Sequence, residues 1–152
     1  MRIAVYAFDG VTMFHLSIPQ MVFGTVSRLG LADWRVSLFT TGSESVGPVE
    51  DPADSTASAP SPTTAPIPSP TTAPVRSPTT TSIRTSEGYV LSGLGGPESA
   101  QEADVVVVPA WFADGRAAED SLRSLLKEAH DRGASVVGLC LGTIPLAEAG
   151  LI

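Results

Sequence analysis

The chain carries one cysteine and two histidines, so nucleophilic or acid–base chemistry has few places to reside. Cys140 stands between the apolar run Val136-Val137-Gly138-Leu139 and the helix-like start Leu141-Gly142-Thr143. A thiol on a sharp strand-to-helix turn, flanked by glycines that let the backbone bend, has the layout of a nucleophile elbow. A helix N-terminus at that point would stabilise the thiolate and lower the cysteine pKa. The Leu141 N–H would then be placed to donate to an oxyanion. The plain alternative is a buried cysteine acting as a small hydrophobe. A nucleophile also needs a base. His15 falls early in the first helical segment, just past the carboxyl end of the first strand. It could face Cys140 across a site, or be a partly buried structural histidine. His130 falls near the end of a later helix, where solvent exposure and the helix C-terminus explain it.

Other candidates bind rather than react. Asp9-Gly10 is a turn pair at a strand end, and such pairs are mostly turn residues. Ala110 and Trp111 follow the strand that ends at Pro109, and Trp111 could wall a small-molecule pocket or belong to the core. Asp104 precedes its strand and lies at the opposite end of the sheet. The glycine run Gly93-Leu94-Gly95-Gly96 does not follow a long buried strand and is a poor phosphate cradle. No dinucleotide fingerprint or zinc spacing is seen, so no cofactor or metal is expected.

The elements that must position these residues alternate along the chain. Arg2–Phe8 is a near-continuous apolar run, as in a parallel strand buried on both faces. The segment 11–29 reads as a helix interrupted at Pro19, with Leu16, Met21, Val22 and Val26 at helical spacing and Gly30 at its end. Strand signals follow at 34–40 and, as a pair turning at Glu87-Gly88, at 83–91. Val105-Val106-Val107-Val108 is the clearest buried strand. The segment 119–132 is an amphipathic helix with Leu122, Leu125, Leu126 and Ala129 on one face and Gly133 as its stop. A last strand at 135–139 leads into a helix from Gly142. This order predicts an α/β fold with a doubly wound parallel sheet. Sites in such sheets lie at the carboxyl ends of the strands, here Phe8-Asp9-Gly10, Pro109-Ala110-Trp111 and Cys140.

Between the second strand and the strand pair, the composition changes. The unit Ser61-Pro62-Thr63-Thr64 returns at Ser69-Pro70-Thr71-Thr72 and again at Ser77-Pro78-Thr79-Thr80, a period of eight. Prolines at this density exclude helix and inner strand. The division is therefore 1–46 and 83–152 as two halves of one α/β domain. The stretch 47–82 is expected to be a disordered, low-complexity Pro/Thr/Ser insertion. A ligand for a proline-recognition module is the alternative reading of the repeats.

Composition narrows the function classes. Of 152 residues, 43% are hydrophobic and 16% charged, which suits a folded core of one domain. A net charge of −7 argues against direct nucleic-acid binding. A single cysteine permits no intramolecular disulfide and fits a reducing compartment. No apolar run approaches the roughly 20 residues that span a bilayer, and the N-terminus lacks a signal-peptide layout. A cytoplasmic location without membrane attachment is expected.

Together these residues resemble the ThiJ/PfpI superfamily, whose fold is class I glutamine amidotransferase-like (flavodoxin-like). The resemblance is nearest to the GlxA type, the ligand-sensing part of AraC-family transcriptional regulators. It is carried by Ile3–Val11 with Ile18-Pro19 and Val22-Phe23-Gly24, by Asp104–Trp111, and by Ala129–Gly142 with Leu146-Ala147-Glu148-Ala149-Gly150-Leu151. Three departures stand out. The family's acidic residue in the first helix aligns with His15. The resemblance implies a histidine and further strands after the elbow helix, and a C-terminal helix-turn-helix DNA-binding domain. The chain stops at Ile152 before any of these, so a C-terminally truncated form with an incomplete sheet is expected.

Three functions compete at this point. The first is a sensor or interaction domain that binds an unknown small molecule through Asp9, Gly10, Ala110, Trp111 and Leu141, without catalysis. The resemblance implies that it works as a homodimer. The second is a cysteine-dependent enzyme with hydratase, glyoxalase- or deglycase-like, or amidase chemistry, using Cys140 as nucleophile and His15 as partner. The third is a poorly folding remnant. The absent acid and histidine favour the first.

Overall fold

A computed structural model describes residues 1–42 and 81–152. The repeats, and with them the expected disorder of the insertion, lie outside the described residues except for Thr81 and Ser82.

The apolar run near the N-terminus becomes β1 (Arg2–Tyr6), with every residue from Ile3 to Phe8 buried. Such a run needs cover on both faces and partners on both edges. It has both partners, because β1 pairs in parallel with β2 (Arg35–Phe39) on one side and β5 (Val105–Val108) on the other. β6 (Ser135–Gly138) extends the sheet beyond β5, giving the all-parallel order β2-β1-β5-β6. Val5 lies opposite Leu38 and Val107, and Val107 lies opposite Val137, so the strands align their carboxyl ends on one side. A separate antiparallel pair, β3 (Ser82–Arg84) and β4 (Val90–Ser92), turns through Gly88 at φ 91°. The predicted doubly wound α/β class is the observed one.

α1 (Met13–Arg28) begins at the N-cap Thr12, whose hydroxyl accepts the His15 N–H. Both Glu87 carboxylate oxygens lie 3.1 Å from the Met13 amide, so the β3–β4 turn caps the same helix end. The other end closes on Gly30 at φ 69°, with the Leu31 N–H reaching the Val26 carbonyl and the Gly30 N–H reaching that of Ser27. Two expectations need correction here. The helix runs through Pro19 without interruption. The proline forfeits one amide hydrogen bond, but its ring is fully buried and packs into the core. The core face also differs from the predicted apolar set, because Leu16, Pro19 and Phe23 face inward. Met21 lies five positions from Leu16, about 140° away around the helix, and is exposed with Val22.

α3 (Asp120–Asp131) buries Leu122, Leu125, Leu126 and Ala129, the predicted face, and stops at Gly133 with φ 93°. A single turn, α2 (Glu98–Gln101), opens at Pro97 and was absent from the sequence reading. Arg132 donates from its guanidinium to the carbonyls of Ala100 and Ala103, which ties α3 to that turn. After β6, one 3-10 turn (Cys140–Gly142) leads into α4 (Thr143–Glu148), which packs on β6 and α3. Among the described residues, no helix is long and apolar enough to cross a membrane.

Candidate functional site

The carboxyl ends of β1, β2 and β5 enclose an open cavity of about 380 Å³. Its floor is aromatic. Tyr6 ends β1 and Phe8 lies just beyond it, and Trp111 and Phe112 follow β5. Phe8 sits 5.3 Å from Trp111 and 4.9 Å from Phe112, centroid to centroid, both tilted. Thr40, Thr41 and Gly42 come from the end of β2, and Ser82 and Ile83 from the start of β3. Three charged residues, Asp9, Arg116 and Glu119, reach the lining.

The wall from Trp111 to Glu119 is shaped by its own polar contacts. The Trp111 indole N–H donates to the Arg116 carbonyl at 2.9 Å. Asp114 accepts from the Arg116 backbone amide and guanidinium, while that guanidinium lies 3.7 Å from the centre of the Phe112 ring. These hydrogen bonds hold the Asp114 carboxyl below its ordinary pKa and raise that of Arg116. Arg116 therefore enters the cavity already paired, whereas Asp9 and Glu119 add negative charge. The Asp9 carboxylate also accepts the Arg84 N–H at 2.6 Å, and the Gly10 N–H donates to the Arg84 carbonyl. Asp9-Gly10 is thus both a turn fastened to the β3–β4 pair and a piece of the cavity rim.

Tyr6 is the polar group in the aromatic floor. Its hydroxyl lies 3.1 Å from Thr41 Oγ1. Burial raises its pKa above the ordinary phenol value. The Thr41 bond opposes this, and the charges of Glu119 and Asp9 add to the rise.

Cys140 occupies a different place. Its φ of 53° makes it the only non-glycine residue with positive φ among the described residues. The turn is tight, because the Gly142 N–H donates to the Leu139 carbonyl and Thr143 Oγ1 donates to that of Cys140. A Cβ on Gly138 would come within 2.8 Å of the Gly142 carbonyl oxygen, and one on Gly142 would overlap the Val108 carbonyl. Both glycines are therefore required by close backbone approach, as their flanking positions suggested. The thiol is exposed rather than buried.

The candidates from sequence do not converge on one point. Asp9 and Trp111 meet in the cavity. Among the described residues lining it, Cys140, His15, Gly10, Ala110 and Leu141 are absent. Gly10 and Ala110 are the chain neighbours of lining residues, and Leu141 belongs to the Cys140 turn. His15 Nδ1 lies 2.6 Å from Thr12 Oγ1, and among the described residues no hydrogen bond joins it to Cys140. His130 sits in the last turn of α3 and is exposed. Among the described residues, no three His, Cys, Asp or Glu side chains gather in a way that could hold a metal ion. Sequence reasoning missed Tyr6, Phe112, Arg116 and Glu119. Their signal was position alone, since each flanks a strand's carboxyl end or the helix start that follows one.

No protein-family model matches this chain, and no curated protein matches it. Among solved structures, the chain is similar to an AraC family transcriptional regulator from Pseudomonas putida, with a TM-score of 0.63 and 14% identity. The likeness covers 99% of this chain and 61% of that one, so this chain spans about three-fifths of the regulator's length. At this identity it is the fold that the two share: a mostly parallel sheet with flanking helices.

Proposed function

We propose that the chain is a ligand-sensing or interaction domain of the ThiJ/PfpI type, similar to the sensing part of a GlxA-type AraC-family regulator, and that it acts without catalysis. The cavity carries this reading. It lies where α/β sheets place their ligands, has an aromatic floor of Tyr6, Phe8 and Trp111, and excludes the one thiol from its lining. The shared fold with a regulator supports the same reading. The ligand is a small molecule that stacks on the aromatic floor and meets Asp9 and Glu119 at the rim. The domain works as a homodimer through the outer face of α1, where Phe14 and Met21 are 68% and 65% exposed.

The test is a thermal-shift panel of small polar and aromatic metabolites on the full chain. A true ligand at a hundredfold excess over its Kd adds about 2.7 kcal/mol of stability. Cys140→Ala should keep that shift and Trp111→Ala should lose it. A shift lost in Cys140→Ala and kept in Trp111→Ala would put the site elsewhere.

One observation favours a second reading, a cysteine-dependent enzyme. Cys140 is exposed on a strained, glycine-flanked turn of nucleophile-elbow shape. Turnover of an ester, amide or dicarbonyl substrate that disappears in Cys140→Ala would establish it.

A further inference from the structure

The cavity and the Cys140 turn are separate places, yet one short segment touches both ends of the cavity wall. At its start, Gly142 lies against the Val108 carbonyl and the Ala110 amide, so closely that no side chain fits between them. At its end, Glu148 Oε2 accepts the Ala118 N–H at 2.6 Å. Pro145 and Leu146 are buried between these points and fix α4 to the core. The segment Pro109–Ala118 supplies Trp111, Phe112, Arg116 and Ala117 to the cavity. It is therefore pinned at both ends by the unit Cys140–Glu148.

Glu148 is an unusual member of this arrangement. It is exposed, on the last residue of its helix, yet it serves the amide of Ala118, which is 4% exposed. Ala118 precedes the α3 N-cap Glu119, whose own side chain makes no capping bond. A carboxylate brought in from α4 thus meets the donor-rich start of α3, where negative charge is favoured. An amide next to a helix start, inside a wall segment, is held by a residue thirty positions away.

We propose that Glu148 is a positioning residue that makes the cavity wall and the Cys140 turn move together, so that a molecule entering the cavity changes the exposure of the Cys140 thiol. By reciprocity, a change at the turn alters the cavity's affinity. The regulatory meaning rests on the cavity being a ligand site, whereas the mechanical link does not.

The experiment uses the full chain without any ligand and reads the single thiol with an aromatic disulfide reagent. The Cys140 thiolate attacks the reagent, forms a mixed disulfide and releases one coloured thiolate. Phe112→Ala disturbs the wall and should change the labelling rate by about fivefold or more. The same substitution in a Glu148→Ala background should give a clearly smaller change, since only the contact of Gly142 with Val108 and Ala110 still joins wall and turn. Glu148→Gln, which keeps an acceptor oxygen for the Ala118 N–H, should restore the response. An equal response with and without Glu148, or none in either background, overturns the proposal. If Glu148→Ala does not fold, hydrogen exchange of the parent chain and Phe112→Ala decides the matter. Loss of protection at Ala118 together with α4 supports the link, and loss at Ala118 alone refutes it. A metabolite panel that yields no ligand would sink the sensing reading and leave this result standing. A failed coupling would leave the cavity a binding site.

Discussion

His15 and Thr12 close on each other across the first turn of α1. The Thr12 hydroxyl accepts the His15 N–H at 3.2 Å and meets His15 Nδ1 at 2.6 Å. One nitrogen of the ring is therefore occupied by the helix cap, and the residue serves local structure. Thr12→Ala should cost about 1 kcal/mol in urea unfolding, the usual worth of an N-cap. His15→Ala should leave the pH profile of Cys140 labelling unchanged. A shifted profile would restore His15 as the thiol's partner.

Cys140 adopts a left-handed backbone that costs an L-residue roughly 1–2 kcal/mol and glycine far less. Cys140→Gly should therefore be at least as stable as the parent. Cys140→Val, with a branched Cβ at the same φ, should be less stable by about 1–2 kcal/mol. Equal midpoints for the two variants would mean that the turn is unstrained.

Gly142 faces a steric requirement of a different kind. Its φ is ordinary, but a Cβ would overlap the Val108 carbonyl, and backbone cannot swing aside as a side chain can. Gly142→Ala should destabilise by about 3 kcal/mol or more. Gly24→Ala is the control, because nothing lies within 4 Å of its added methyl. That helical substitution should be neutral or stabilising.

Tyr6 ionises above the usual phenol value because it is buried. Its folded pKa is raised, so its contribution to stability is whole below the unfolded value of about 10 and is lost as pH rises through the raised one. An ultraviolet pH titration should show one late phenol that disappears in Tyr6→Phe. The same variant should lose about 1 kcal/mol at neutral pH with the Thr41 bond, and it should show a shallower fall in stability at alkaline pH.

The outer face of α1 bears on self-association. Phe14→Ser with Met21→Ser should change monomer stability by no more than about 0.5 kcal/mol per site, since both side chains face solvent. Sedimentation velocity should show the parent as a dimer and the double variant as a monomer. Identical profiles for the two would remove this face from consideration.

The sheet was legible because its two central strands, β1 and β5, are near-continuous apolar runs. Val105–Val108 and Ile3–Phe8 admit few other arrangements, and the glycines expected to end α1 and α3 and to turn the β3–β4 pair, Gly30, Gly133 and Gly88, do so with positive φ. Pro19 misled because a buried ring can offset a lost hydrogen bond, and burial is a tertiary fact. The outward face of α1 misled because Met21 and Val22 are apolar in type but not in position. At the cavity, Asp9 and Trp111 were legible from strand ends. Arg116 was not, because its place depends on a ring, a carboxylate and a turn that the chain brings together only when folded.

The central place of β1 also has a consequence for synthesis. Its neighbour on one side is β5, and Ile3 faces Val105 only after about a hundred further residues have been made. At roughly 5–20 residues per second, the ribosome leaves that edge open for several seconds. During that interval the emerging chain carries an apolar strand, Ile3 to Phe8, whose β5 edge is unpaired even after β2 has been made. Folding of this domain is therefore set by the arrival of Val105–Val108, and the N-terminal strand is the segment that a nascent-chain chaperone has most reason to shield.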